Sequence, residues 1–177
     1  ELWHMWHYHG CYGFKHPDPD YPVAIRVKRL PDWFPGEEDK VSVPMCWILL
    51  DQQGKRYMNE CTPYTQDTSH RAMEHYDTVT QSFPRVPSWF IYDQNGCDMY
   101  QIGAPTYNQP GLGFSWSEDN MKEVEMGIIT KADTLEELAR VTGTGLDTLK
   151  ASIERWNALC EAGSDSDFGR PRGTMVP

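Results

Sequence analysis

Proline and turn-forming residues break most of this 177-residue chain into short segments, which limits it to short strands and short helices. Five prolines lie between residues 15 and 40, and acidic residues separate them. Because proline removes a backbone donor and fixes φ, this stretch predicts an irregular path with at most a short strand at residues 23–27. Regular helical spacing is confined to the last third of the chain.

That last third predicts two consecutive helices over residues 134–162. Thr134 precedes Glu137 by three residues, the spacing of a capping box in which each side chain accepts a backbone N–H bond from the other residue. Gly143 and Gly163 are placed to end the two helices. Apolar residues of the second helix recur every three or four positions, which is typical of one buried face. They are Leu149, Ile153, Trp156 and Cys160.

The middle of the chain predicts a hairpin near residues 45–59. Residues 45–50 are apolar, Asp51 to Gly54 form a turn, and residues 55–59 return as a second strand. Weaker patterns predict a short helix over 1–9, a helix around 72–79, a strand over 88–93 closed by a turn at 94–96, a loop over 103–117 and a strand over 127–130. The order of these elements predicts an α+β fold, with a small mixed sheet whose hairpin packs against helices.

Charge and hydropathy exclude two classes of partner. The formal net charge is −10, which argues against nucleic-acid binding because that requires Lys and Arg to neutralise phosphates. The longest apolar run is far shorter than the ~20 residues that span a bilayer. The five cysteines are odd in number and form no C-x-x-C pair, which favours free thiols and a cytoplasmic location.

The histidines raise the question of a metal site, and the tryptophans raise that of a sugar-binding surface. His4, His7 and His9 are close in sequence, but no carboxylate stands at useful local spacing, so we predict no metal site. The seven tryptophans could form a platform that stacks sugar rings, although core roles fit their varied contexts better. The alternative function is therefore a non-catalytic, aromatic-rich module that binds sugars.

No cofactor-binding motif accompanies these features. A dinucleotide fingerprint requires G-x-G-x-x-G between a strand and a helix, and the chain lacks it. A Walker loop, H-E-x-x-H and G-x-S-x-G are also missing from the sequence. By itself the chain is not expected to bind FAD or any other dinucleotide.

The stretch GKRYMNE at residues 54–60 is the most specific local motif. It resembles the G-[KR]-R-[FY]-x-N-E stretch of the flavoprotein family that includes fumarate reductases, succinate dehydrogenase flavoprotein subunits and 3-ketosteroid dehydrogenases. Further stretches follow in the order that this family has. They are WFIYD at residues 89–93, KADTLEELA at 131–139, and WN at 156–157 with GSDSDFGR at 163–170.

The resemblance implies a substrate-capping domain inserted into a larger FAD-binding domain. It predicts an irregular Trp-, His- and Pro-rich segment over 1–44, the core of the capping domain over 45–170, and a severed connection over 171–177 that returns to the missing domain. FAD would be held by that missing domain of the same full-length protein, which is the expected partner together with a small-molecule substrate. The isolated chain is expected to be inactive.

The resemblance also identifies candidate site residues. Fumarate reductases have a proton-donating arginine four residues beyond the Glu of the motif, and this chain has Tyr64 there. Ketosteroid dehydrogenases are similar in using a tyrosine of the capping domain as a proton acceptor, so Tyr64 is the predicted catalytic residue. The expected reaction reduces or oxidises an activated C–C bond, on a substrate less acidic than fumarate.

Four neighbours of Tyr64 are predicted to face substrate or flavin: Arg56, Asn59, Glu60 and Thr62. For Arg56, Asn59 and Glu60 an equal alternative stays open, in which they brace the strand and its turn.

Overall fold

The structure, a computed structural model, describes residues 13–21, 25–27, 44–45, 47–61, 70–105 and 113–177. Its strands are β1 (Ile25–Val27), β2 (Ile48–Leu50), β3 (Trp89–Ile91) and β4 (Gly103–Pro105). Its helices are α1 (Gln94–Met99), α2 (Met121–Glu125), α3 (Leu135–Thr142) and α4 (Leu146–Ala162), with 3-10 turns at His70–Glu74 and Arg172–Thr174. This combination confirms the predicted α+β class. The short helix predicted over 1–9 lies outside the described residues.

The described strands form two antiparallel pairs, where the sequence predicts one mixed sheet. β1 pairs with β4, so that Val27 lies opposite Gly103. β2 pairs with β3, so that Leu49 lies opposite Phe90. The predicted return strand over 55–59 is reduced to a single bridge between Leu50 and Arg56, since the residues that follow contact the C-terminal segment instead.

Strand β2 is buried on both faces, which explains its unbroken apolar sequence. Successive side chains of a strand point to opposite faces. Trp47 and Leu49 therefore pack in a first core, while Ile48 and Leu50 pack in a second core. The first core also contains Ile25, Met45, Met58, Ile102 and Trp116. The second core also contains Ala139, Leu149, Trp156 and Leu159.

The C-terminal helix pair confirms the helical spacing of the sequence. Thr134 Oγ1 accepts a hydrogen bond from Glu137 N, as a capping box requires. The reciprocal bond differs, because Glu137 Oε2 accepts from Asp133 N. Gly143 and Gly163 end the helices with φ of 70° and 64°, in the left-handed region that glycine tolerates best.

Four local predictions are wrong for identifiable reasons. The turn predicted at 94–96 is the start of α1, because the Asp93 carboxylate accepts from Gly96 N and caps a helix. The helix predicted over 72–79 is interrupted, because the Asp77 carboxylate bonds Val79 N and the Thr80 hydroxyl and holds a turn. The loop predicted over 103–117 contains β4. Residues 127–130 form bends rather than a strand.

The bends after α2 have a structural cause. Gly127 has φ of 73°, and the N–H groups of Ile128 and Ile129 both bond to the carbonyl of Glu123. These bonds turn the chain back against the end of α2. Donors that would be needed for a strand ladder are therefore already used.

The predicted boundary at residue 44 separates residues that share the first core. Ile25 lies before that boundary and Trp47 after it, and both are buried in the same cluster. Near the C-terminus, Thr174 O accepts from Met45 N and Val176 O accepts from Trp156 Nε1. The division into three segments stays a prediction.

Candidate functional site

Two stretches that are far apart in sequence are joined by a buried group of charged side chains. Arg56 donates from Nε and Nη2 to the two carboxylate oxygens of Glu60, at 2.8 and 2.7 Å. The same Nη2 donates to Asp165 Oδ2 at 2.8 Å, across 109 residues of sequence. Arg170 adds a contact of 3.4 Å from Nη1 to Glu60 Oε2. We call Arg56, Glu60, Asp165 and Arg170 the charge cluster.

The side chains of the charge cluster are almost completely removed from solvent. Those of Glu60, Asp165 and Arg170 are fully buried, and that of Arg56 is 7% exposed. Two cations and two carboxylates balance in formal charge. This balance matters because an unpaired charge in a protein interior costs several kcal/mol.

Arg170 fastens the cluster to the strand β2 region and to the C-terminus. Its Nη1 donates to Trp47 O at 2.7 Å, and its Nη2 donates to Met45 O and Thr174 O, both at 2.8 Å. The planar guanidinium group can satisfy several acceptors in fixed directions, which a lysine ammonium cannot do. Burial lowers the pKa of Arg170, and the neighbouring carboxylate of Glu60 opposes that effect.

Asp165 organises the turn that follows α4. Its Oδ1 accepts from the backbone N–H groups of Asp167 and Phe168, and its Oδ2 accepts from Arg170 N. Burial would raise its pKa, but the bonds from Arg56, Arg170 and Phe168 outweigh that effect and lower the pKa to about 2. Asp165 is therefore ionised at neutral pH.

Aromatic rings cover the guanidinium groups of the cluster. The Cζ atom of Arg56 lies 4.6 Å from the ring centroid of Trp156 and 5.1 Å from that of Phe168. The Cζ atom of Arg170 lies 4.7 Å from the Trp156 ring. Burial would lower the pKa of Arg56, but hydrogen bonds to Glu60 and Asp165 outweigh it and raise that pKa. Its Nη1 is buried without an acceptor among the described residues.

Asn59 makes a second connection between the same two stretches. Its Nδ2 donates to Gly169 O at 3.0 Å, and its Oδ1 accepts from Cys61 N at 2.9 Å. The second bond sets the backbone direction at the end of the motif. Residues 62–64, which include the predicted catalytic tyrosine, follow directly in the sequence.

The structure thus brings together three of the five residues that the sequence singles out. Arg56, Asn59 and Glu60 lie together, and their contacts favour the bracing alternative. Their predicted contact with substrate or flavin stays a prediction. Thr62 and Tyr64 lie outside the described residues.

Asp165 and Arg170 are the partners that sequence reasoning missed. Both lie in the stretch at 163–170 that marks the resemblance, but no spacing in the sequence shows that they meet Glu60 and Arg56. Charged residues in a stretch that follows a helix end are usually solvated. The resemblance of residues 163–170 to the family was therefore the one sequence signal that pointed to Asp165 and Arg170.

A second buried polar group supports the first core. The Asn120 amide oxygen accepts from Ile102 N and Trp116 Nε1, while its nitrogen donates to Cys97 O and Tyr100 O. All four of its bonding positions are therefore used. This side chain is a structural bracket and has no atom available for a ligand.

Gly103 is required by the close approach of Trp116. A Cβ atom at this position would lie 2.2 Å from a carbon of the Trp116 ring. Because glycine has no side chain, the Trp116 ring can lie directly against the strand backbone at this position.

The described tryptophans do not support a sugar-binding platform. Trp47, Trp116 and Trp156 are buried, and the half-buried Trp89 packs against the second core. Trp3, Trp6 and Trp33 lie outside the described residues, as do His4, His7 and His9. No group of three or more His, Cys, Asp or Glu side chains is arranged for a metal ion within the described part of the chain.

One G-x-G stretch can be compared with the dinucleotide fingerprint. Gly143, Thr144 and Gly145 are the G-x-G stretch that the structure describes in full, and they connect α3 to α4 rather than a strand to a helix. Thr142 and Thr144 bond to each other there, and Thr144 is buried. Because the fingerprint requires a strand before the stretch and a helix after it, this stretch does not match it.

Within the described residues, no helix combines the length and the apolarity needed to cross a membrane.

Curated proteins with related sequences are flavoenzymes. The chain is 37% identical over 123 residues to a 3-oxosteroid 1-dehydrogenase of Mycolicibacterium smegmatis, covering 70% of this chain and 20% of that protein. It is 32% identical over 123 residues to a 4-oxocyclohex-2-ene-1-carboxylate 5-dehydrogenase of Sinomonas cyclohexanicum, covering 70% and 19%. It is 28% identical over 124 residues to a fumarate reductase (cytochrome) of Shewanella frigidimarina, covering 70% and 17%.

The chain spans about a fifth of the length of these relatives. No protein-family model matches it. The relatives confirm the resemblance that the motifs predict: over 70% of its length this chain is homologous to the FAD-dependent oxidoreductases that include ketosteroid dehydrogenases and fumarate reductases.

Proposed function

We propose that the chain is the substrate-capping domain of a larger FAD-dependent oxidoreductase that acts on an activated C–C bond. The charge cluster carries the proposal, because it ties residues 54–60 to residues 163–170. These are two of the stretches that resemble the family. They contact each other at Arg56 and Glu60, and Glu60 lies four residues before Tyr64 in the sequence.

FAD is assigned to the part of the full-length protein outside this chain. When bound there it supplies the acceptor or donor of electrons. The capping domain contributes a proton-transfer group and excludes water from the reaction.

Tyr64 is the proposed proton-transfer residue. Oxidation of a C–C bond removes a proton from one carbon and a hydride from its neighbour. The phenolate oxygen of Tyr64 would accept the proton, and FAD outside this chain would be the acceptor of the hydride. A free phenol has a pKa of ~10, so the proposal requires positive charge or a strong hydrogen bond near that oxygen in the full-length protein. The proposal is supported by the residues that precede Tyr64 in the sequence. Cys61 N donates to Asn59, and Arg56 donates to Glu60, so residues 59–61 are held in place.

The proposed substrate is a cyclic ketone. Two of the relatives are named for oxo compounds, an oxosteroid and an oxocyclohexene carboxylate. A carbonyl group acidifies the adjacent C–H bond, so the phenolate form of a tyrosine can take its proton. A tyrosine at position 64 fits this chemistry better than it fits the reduction of fumarate, for which the family has a proton-donating arginine at this position.

The test is Tyr64→Phe in the full-length protein, assayed with cyclic ketones and with fumarate. Loss of a general acid or base typically lowers turnover by about 100-fold or more. We expect such a loss with ketone substrates, with FAD content unchanged. Tyr21→Phe is the matched control, since it removes the hydroxyl of a half-buried tyrosine packed against the first core. Turnover of Tyr64→Phe within a few-fold of the wild type would remove this residue from the mechanism.

A further inference from the structure

A hydrogen-bonded loop presents apolar side chains to solvent next to the turn of the GKRYMNE motif. Val79 is 89% exposed, and Tyr76 and Phe83 are about half exposed. The rings of Tyr76 and Phe83 contact each other edge to face, with centroids 5.1 Å apart. Val86, on the same loop, is also exposed. We call Tyr76, Val79, Phe83 and Val86 the apolar loop surface.

Hydrogen bonds hold the tip of this loop in one shape. Asp77 and Ser82 exchange backbone bonds in both directions, which closes a hairpin-like turn. The Asp77 carboxylate accepts from Val79 N at 2.9 Å and from the Thr80 hydroxyl at 2.8 Å. These bonds lower the pKa of Asp77, so it remains an acceptor at neutral pH.

The base of the loop is fastened to the rest of the molecule. The side-chain amide of Gln52 donates to Val86 O and Phe83 O, and its backbone N–H donates to Pro84 O. Arg85 donates to Ala72 O and covers the ring of Tyr57. A loop held at both tip and base loses little conformational freedom when a partner covers it.

We propose that the apolar loop surface docks against the FAD-binding part of the same polypeptide, an inference that rests on the proposed function. Stable complexes between separate proteins need about 20–30 residues on each side, and four apolar residues on one loop fall far short of that. A partner within the same polypeptide does not need so large an interface, because covalent linkage supplies an effective concentration that free partners lack.

The relatives favour that occupant over a second copy. About four-fifths of each relative lies outside the region that matches this chain, so a full-length protein of that length has ample surface to cover the loop. A lipid surface fits poorly, since the chain is strongly acidic and anionic headgroups would repel it.

The experiment places the photo-crosslinking residue benzoylphenylalanine at position 79 of the full-length protein, with position 140 as control. Val79 and the side chain of Arg140 are both largely exposed, so neither replacement disturbs a packed core. After irradiation, cross-linked peptides are identified by mass spectrometry. We expect links from position 79 to peptides of the same polypeptide outside these 177 residues, and few or none from position 140.

Three results would overturn the inference. They are links from position 79 that stay within the 177 residues, links that join two copies into a species of doubled mass, and equal yields from positions 79 and 140. The flavin absorbance and turnover of the purified full-length protein test the proposed function separately. A flavoprotein without the expected links contradicts the docking surface alone, whereas intramolecular links in a protein without flavin contradict the proposed function alone.

Discussion

Four charged side chains are buried together in this protein, although the transfer of each charge from water to the interior costs free energy. They are tolerated because Arg56 and Arg170 face Glu60 and Asp165 at hydrogen-bond distance, with formal charges that cancel. Backbone groups satisfy the remaining bonding positions of Asp165 and Arg170. The cluster stabilises the fold only while every buried charge has its partner. Removal of one member leaves an unpaired buried charge, so it should lower the free energy of unfolding by more than the attraction within one pair.

Asp165→Asn tests that dependence. Asparagine keeps the size, and its one oxygen can still accept from Asp167 N and Phe168 N, but its Nδ2 cannot accept from Arg170 N. The cluster is then left with two cations and one carboxylate. We expect the free energy of unfolding to fall by about 3 kcal/mol, the typical cost of breaking a buried pair. Urea unfolding followed by tryptophan fluorescence measures it. Asp167→Asn is the control, because Asp167 pairs with Arg155 at the surface. Equal effects of the two substitutions would contradict the buried-charge account.

The pH dependence of stability tests the ionisation of Asp165. Its pKa falls from 3.8 to about 2 on folding, so its stabilising contribution is complete above the unfolded value and is lost as the pH falls through the folded value. Urea unfolding between neutral pH and about 2 should show a steeper loss for the wild type than for Asp165→Asn. Parallel curves for the two proteins would show that Asp165 does not titrate in this window.

The elements of the fold differ in how much of their stability is local. Helix α3 has a side-chain cap at Thr134 and ends at Gly143, and α4 ends at Gly163. Helix α4 buries Leu149, Trp156 and Leu159 on one side. Strand β2 has three residues and depends on cores on both of its faces. A single substitution at a helix end should therefore change the stability of that helix, whereas the stability of β2 should change with substitutions in either core.

Thr134→Ala tests the local signal at the start of α3. The Thr134 hydroxyl accepts from Glu137 N, and loss of an N-cap side chain costs about 1 kcal/mol. Thr148→Ala is the matched control, because Thr148 lies in the first turn of α4, where no side chain caps the helix. We expect the control to be neutral or slightly stabilising, since alanine favours a helix. A comparable loss in both variants would mean that the hydroxyl of Thr134 does not cap α3.

At the scale of the whole molecule, Arg170 connects segments that are distant in sequence. It donates to the carbonyls of Met45, Trp47 and Thr174 and contacts Glu60. Trp156, which its guanidinium covers, belongs to the second core, while Met45 and Trp47 belong to the first. One side chain thus spans both cores and the C-terminal segment.

Arg170→Lys tests this connection while retaining the charge. A lysine cannot reach the same acceptors in the directions that a planar guanidinium sets, so buried carbonyls lose their donors. We expect a loss of about 3 kcal/mol in the free energy of unfolding. Arg155→Lys provides the comparison, since Arg155 is exposed and pairs with Asp167 at the surface. If both variants unfold at the same urea concentration, Arg170 does not have the central role described above.

The sequence by itself determined the helix pair and the flavoenzyme resemblance. Thr134, Gly143 and Gly163 act through bonds within a few residues of themselves, so their effect can be predicted from spacing. The turn at residues 51–54 is equally local, since the Asp51 carboxylate accepts from Gln53 N and Lys55 N. The motifs predicted the family because they preserve residue types in order, whatever contacts those residues make.

Tertiary structure alone decided which strand pairs with β2 and what the motif residues contact. β2 pairs with β3 along its whole length and with residues 55–59 through a single bridge, and Arg56 meets Asp165 across 109 residues. Such contacts gain their free energy from burial and from the exclusion of water, which depend on the whole folded chain. A charged residue in a polar stretch looks the same in sequence whether it is solvated or, like Asp165, buried and paired with Arg56. That is the physical reason why the helix ends could be predicted and the charge cluster could not.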